Sequence, residues 1–284
     1  MSEHNPHPDE ALDTGAFHRG VDERFEHRLA LNVPGRRNDK LRRVIEWVNE
    51  DEDLYGLWIA ANVNAMERLG MTDHGPVHVK IVMNLAVRML RLLVDAGVQP
   101  SVVVQYEMEP QDAEVVVALA ALLHDVGLSI HRADHEAFSL FVAQDKVRQI
   151  LPELYEPRRA TILRAEILHA IISHRSGGKP LTLEAGVVRI ADALDMAKGR
   201  SRIPFAAGSL SIHSVSAAAI EGVSLDAGEE RAIRVTVDMS NSAGLFQLDQ
   251  LLREKLTGSG LEPHVEVRVR LGEEEKRLLT DFTL

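Results

Sequence analysis

The chain has 284 residues, 45% hydrophobic but only 4% aromatic, so its core must be built mainly from aliphatic side chains. A formal charge of −11 argues against a broad basic face for extended duplex nucleic acid or anionic lipid, while leaving room for a local basic pocket. With no cysteine, disulfides, thiolate metal sites and cysteine nucleophiles are excluded, and any metal must be held by nitrogen and oxygen.

Residues 1–36 read as a polar tail and short arm ending at Pro34-Gly35. They carry no apolar stretch of the signal-peptide kind, and apolar runs such as 115–123 are too short to span a bilayer. A cytoplasmic protein with no membrane contact is expected. From Asn38 the pattern turns helical, with Leu41, Val44, Ile45 and Val48 on one stripe. A second helix is expected over 54–69, stopping at Gly70. The segment from Thr72 to Pro76 reads as a loop and helix start, because Pro is tolerated in the first turn. The helix that follows, to about Asp95, is apolar at Val77, Ile81, Val82, Leu85, Met89 and Leu92.

Residues 112–126 are apolar all round, which predicts a buried central helix with Gly127 as its stop. Further helices are expected over 134–150, 158–173 and 183–197, divided by Pro152, Pro157, Gly177-Gly178 and Pro180. After Pro204 the period changes. Residues 233–239 and 265–271 alternate as half-buried strands, with an amphipathic helix over 245–256 between them. The expected division is a tail at 1–36, a helical domain at 37–207 and a small α+β module at 208–284, ordered strand-strand-helix-strand-strand.

Seven of the 13 histidines fall between His74 and His174, each near an expected helix end. The most specific element is the adjacent pair His124-Asp125 closing the apolar helix. An ionised carboxylate there is costly to bury without a partner. A divalent cation resolves this, since it takes imidazole nitrogen and carboxylate oxygen together.

In these residues the chain resembles the HD superfamily of metal-dependent phosphohydrolases, whose signature is His … His-Asp … Asp on separate helices. His78, the pair His124-Asp125, and Asp192 match that signature. His135 and His174 resemble the additional ligands of the branch that binds two metals. The stretch from His174 to Asp192 is similar to diadenosine-tetraphosphatase-like HD proteins, and 192–200 to the RNase Y class. The membrane anchor and KH domain of RNase Y are absent, so that function is not carried over. The Gly-Tyr-Pro extension of the cyclic-di-GMP phosphodiesterases is missing after His174, which sets that substrate aside.

The resemblance covers about residues 70–205 and implies a mainly α, HD-type helical bundle carrying the small C-terminal α+β module. It implies a phosphohydrolase or phosphodiesterase acting on a small phosphorylated substrate of nucleotide type. Two divalent ions are expected, with Asp125 and a shared water between them. His78, His124 and Asp192 would hold one, and His135 and His174 the other. Mixed nitrogen and oxygen ligation suits Mn, Fe, Co, Ni or Zn better than Mg. His124 and Asp125 are the expected catalytic pair. Arg175, Lys179, Lys198, Arg200 and Arg202 are candidates for phosphate recognition, the last three equally well read as ordinary surface charge. A homodimer is expected by fold-level analogy.

Plainer readings stand beside these. His78 alone could be a core or capping histidine, and Asp192 could pair with Arg189 on a solvent face. Asp195 is expected to do no more than that. His74 is either a loop histidine or one that supports a ligand or touches substrate. His169 and His174, five residues apart on one helix, diverge by about 140° and cannot easily share a metal, which favours His174; His131 is ambiguous. Two other functions use the same residues: a diiron oxygenase of HD type, and a non-catalytic sensor in which the metal is structural.

Overall fold

The computed structural model describes residues 29–31, 38–196, 216 and 219–272. The chain divides into Met1–Ala30, of which only the last two residues are described, and Leu31–Leu284, which is the subject below. Among the described residues it is mainly α, with a small three-stranded sheet towards the C terminus.

The first helix, α1 (Asp39–Glu50), buries the four residues of the expected stripe, and the Asn38 side chain caps it by accepting from the Leu41 N–H. Asp51 caps α2 (Glu52–Asn62) in the same way. This helix passes into a π-helical turn, Val63–Arg68, before the chain reverses at Gly70, whose φ of 64° suits glycine. Next comes α3 (Pro76–Asp95), with Pro76 in its first turn as expected. Its inward face differs from the expected one. Val77 and Ile81 are 50% and 38% exposed, while His78, Val79, Val82, Met83 and Ala86 are buried. The helix is turned so that the histidine faces inward, at the cost of two exposed aliphatic side chains.

A short helix, α4 (Ser101–Tyr106), was not expected. Its first N–H groups, those of Ser101 and Val102, donate to the buried carboxylate of Glu184, far along the chain. Then α5 (Pro110–Leu123) runs through the middle, buried on nearly every side, and starts with a reciprocal capping box between Glu109 and Asp112. It ends before His124-Asp125, which form a turn leading into a 3-10 segment, Val126–Ser129.

Gly127 is therefore not a left-handed helix stop; its φ is not positive. It is required for another reason. A Cβ there would lie 2.1 Å from the His135 carbonyl oxygen and 2.4 Å from the Ser139 nitrogen. Two long helices follow, α6 (His135–Leu154) and α7 (Pro157–Ser173). The first continues through Pro152 instead of ending there, because a proline in the last turn forfeits little. Last in this series is α8 (Leu183–Leu194), capped by Thr182.

The C-terminal part has β1 (Ile220–Ala227) antiparallel to β2 (Ile233–Met239), and β2 parallel to β3 (Val265–Leu271), in the order β1-β2-β3. The helical stretch 245–256, called α9, makes the crossover between the parallel strands; its middle turn, Leu248–Arg253, is π-helical. The order strand-strand-helix-strand matches the sequence pattern this far; the expected last strand falls beyond residue 272, outside the described residues. The module packs on α8 through close contacts. A Cβ on Gly186 would lie 2.4 Å from the Ser259 carbonyl oxygen, and Arg189 Nε donates to the Lys255 carbonyl at 2.9 Å.

Candidate metal centre

Six side chains converge in the interior, and each comes from a helix end. His78 lies in the first turn of α3, His124-Asp125 just after α5, His135 at the start of α6, His174 just after α7, and Asp192 in the last turn of α8. Local bonds fix these positions. Ser139 Oγ donates to the His124 carbonyl at 2.6 Å and accepts from the Gly127 N–H at 2.8 Å, which pins the turn carrying the pair. Trp58 Nε1 donates to the Leu122 carbonyl, and Asn64 Nδ2 to the Leu128 carbonyl, so buried carbonyls at the end of α5 and in the 3-10 segment are satisfied from α2 and the π-turn. Before α3, Asn62 accepts from the His74 N–H, and Asp73 accepts from the Gly75 N–H. Asp134, in the left-handed region at φ 58°, aims the chain into His135.

The imidazole orientations are set from behind. His124 Nδ1–H donates to the Ala121 carbonyl at 2.8 Å, His174 Nδ1–H to the Ile171 carbonyl at 2.5 Å, and His78 Nδ1–H to Asp195 Oδ2 at 2.6 Å. These three histidines therefore point an Nε2 lone pair inward. His135 Nδ1 has the Arg132 carbonyl at 3.1 Å and the Glu136 carboxylate at 3.2 Å, but also the Arg132 guanidinium at 2.8 Å. Its tautomer is held less firmly than the other three.

The inward atoms meet around Asp125. Its Oδ2 lies 3.4 Å from His78 Nε2 and 3.2 Å from His124 Nε2, whereas its Oδ1 lies 3.3 Å from His135 Nε2 and 3.6 Å from His174 Nε2. Asp192 Oδ1 is 3.6 Å from His78 Nε2 and 3.7 Å from His124 Nε2, and Asp192 Oδ2 takes the ammonium of Lys255. Three overlapping sets could hold a metal ion: His78, His124 and Asp125; His124, His174 and Asp192; and Asp125, His135 and His174.

The electrostatics fit a cation. His78 Nε2 and His124 Nε2 face each other at 3.2 Å, an arrangement of two lone pairs that is repulsive unless a proton or an ion lies between them. Burial pulls the His124 imidazole down, but the Asp125 and Asp192 carboxylates outweigh it and hold it at about 10. Burial would raise both carboxylates. Asp125 is nevertheless held well below the usual range by His124, His135 and His174, and Asp192 by Lys255, His124 and His78. His174 is pushed down, chiefly by burial, and so stays a neutral donor. Apart from Glu136 and Arg132, which both lie against His135 Nδ1, the carboxylates of Asp125, Asp192 and Asp195 gather here against Lys255. The deficit is met by a proton on His124 or by a cation in its place.

Asp195 is the largest departure from the sequence reading. It does not sit on a solvent face with Arg189; it is 6% exposed and orients His78. Arg189 is itself buried and donates to the carbonyls of Ser173, Arg175 and Lys255. Removing a carboxylate that orients a metal-binding histidine typically weakens the metal about 10–100-fold. Asp195→Ala should therefore lower affinity for a divalent cation by about that factor in a metal titration, with Asp195→Glu losing less. Equal affinity in the alanine variant would show that His78 needs no support.

His169 Nε2 accepts from the Leu181 N–H, and His131 Nδ1 from the Ala133 N–H, so both shape loops. His74 is half-buried, with its ring 5.4 Å from that of His78 and its Nδ1 on the Thr72 carbonyl. Arg175 and Lys179 are exposed in the loop after His174; Lys198, Arg200 and Arg202 lie outside the described residues. The sequence did hold a signal for Asp195, which stands three residues after Asp192 on the same side of a helical turn. It held none for Lys255.

Residues 77–197 match the family model of the HD domain. The chain is also 44% identical over 224 residues to the uncharacterised protein MJ1020 of Methanocaldococcus jannaschii, an alignment spanning 79% of this chain and 86% of that one. No helix among the described residues is long and apolar enough to cross a membrane. The aligned family segment opens one residue before His78 and closes five after Asp192, so it encloses all six converging side chains: the chain belongs to the HD-domain family, a superfamily of metal-dependent phosphohydrolases.

Proposed function

We propose that the protein hydrolyses a phosphate ester of nucleotide type, mono- or diester, with divalent cations held on either side of Asp125. The observation that carries this reading is the division of that carboxylate, whose Oδ2 faces His78 and His124 while Oδ1 faces His135 and His174. His78, His124 and Asp192 make up one ligand group, and His135 and His174 the other. All donors are imidazole nitrogens and carboxylate oxygens, which favours Mn, Fe, Co, Ni or Zn over Mg. Cations there would supply an acidified water and positive charge for the phosphoryl oxygens.

The chain's own part is orientation and charge. The backbone carbonyls of Ala121 and Ile171 and the Asp195 carboxylate keep three Nδ1 protons outward, so the Nε2 atoms stay available. Arg175 and Lys179, which are exposed in the loop after His174, are the candidates for phosphate recognition, with Lys198 and Arg200 as the further candidates.

The test is elemental analysis of the purified full-length chain, then a screen of nucleotide mono- and diesters under nitrogen with the metal found. Release of phosphate or nucleotide is expected. Dioxygen uptake by an iron-loaded protein that hydrolyses nothing in the panel would overturn the reading.

A further inference from the structure

The cluster is covered on most sides. The side chains of His78 and His124 are fully buried, those of Asp125, His174 and His135 are 5%, 5% and 8% exposed, and that of Asp192 is 14% exposed. Asp192 is thus the most exposed of the six. Lys255, 16% exposed, stands beside it. It comes from α9 in the C-terminal module, yet α8 grips it at two positions three residues apart. Arg189 Nε donates to its carbonyl, and Asp192 Oδ2 accepts from its ammonium. The contact of Gly186 with Ser259 continues the same seam one turn earlier.

Asp192 uses its two oxygens for different purposes: Oδ1 faces the imidazoles and Oδ2 faces Lys255. The ammonium can therefore stay in place whatever Oδ1 binds. Among the described residues its hydrogen bond goes to that one oxygen, and an ammonium carries three N–H donors. A carboxylate alone here would repel a phosphate; paired with an ammonium it does not.

We propose that Lys255 is a substrate-binding residue, donating to a phosphoryl oxygen of an anionic substrate that enters past Asp192. The inference rests on the phosphohydrolase reading for its substrate class, and it makes the C-terminal module part of the site.

The test uses the full-length, metal-loaded protein, with calorimetric titration of inorganic phosphate and elemental analysis on the wild type, Lys255→Gln and Lys255→Arg. Both variants should keep their metal. Lys255→Gln should bind phosphate about tenfold more weakly, the effect of one lost charge-assisted hydrogen bond, and Lys255→Arg should recover part of it. For an ester the wild type cleaves, KM should rise by a similar factor while kcat changes less. Phosphate affinity unchanged in Lys255→Gln would overturn the proposal, as would loss of metal in both variants, which would reduce Lys255 to a support for Asp192. Phosphate binding that depends on Lys255 in a protein that cleaves no ester would uphold this inference while defeating the phosphohydrolase reading.

Discussion

Asp125→Ala is expected to abolish hydrolysis and to bind at least one metal equivalent fewer than the wild type. The carboxylate is the single group shared by the two imidazole pairs, with His78 and His124 on one oxygen and His135 and His174 on the other. Without it His135 and His174 lose the carboxylate they share, and His78 and His124, whose Nε2 atoms face each other at 3.2 Å, keep only Asp192 as an oxygen donor. Metal-borne charge stabilisation supplies several kcal/mol to phosphoryl hydrolysis, so turnover should fall by about a thousandfold or more. Asp125→Asn, which keeps the shape but not the charge, should be nearly as damaging if charge is what matters. Metal content by elemental analysis, together with turnover on the best ester of the screen, decides the matter. An alanine variant matching the wild type in both would remove the centre from Asp125.

Gly127→Ala is expected to cost about 3 kcal/mol of stability, near the upper end of overpacking effects. Its methyl group would have to occupy space 2.1 Å from the His135 carbonyl oxygen and 2.4 Å from the Ser139 nitrogen. Both obstacles are backbone at the start of α6, so no side chain can swing aside. For a chain of this size the loss corresponds to a fall of about 6–12 °C in Tm. Displacing the start of α6 also moves His135, and it breaks the bond between the Gly127 N–H and Ser139 Oγ that steadies the turn after His124. Thermal melts of the two proteins, read beside their metal content, test both effects. A variant with unchanged Tm would mean that the approach of the two segments is looser than described.

Much of the helical framework could be read from the chain because its causes are local. The stripe of Leu41, Val44, Ile45 and Val48, the proline at the start of α3 and the alternation in β2 and β3 are each visible within a dozen residues. The order of the histidines and aspartates pointed to one centre for a similar reason, since an adjacent His-Asp pair ending an apolar helix has few uses. Features that were not legible depend on distant partners. The cap of α4 by Glu184, the parallel pairing of β2 with β3, and the arrival of Lys255 at Asp192 all join segments that sequence spacing leaves unrelated. The facing of α3 was misread because its hydrophobic residues encircle the helix. The side that turns in carries His78 together with Val79, Val82, Met83, Ala86 and Val87.

The six donors sit at the ends of five helices, α3, α5, α6, α7 and α8, and only His124 and Asp125 share one. Secondary structure alone therefore creates no part of the centre, because no single helix carries a set of donors that could chelate an ion. A collapsed chain with every helix formed but unpacked would leave these atoms scattered. Competence to capture an ion arrives only with the last rearrangement of folding, and the bound ion then reports that the helices have reached their final places.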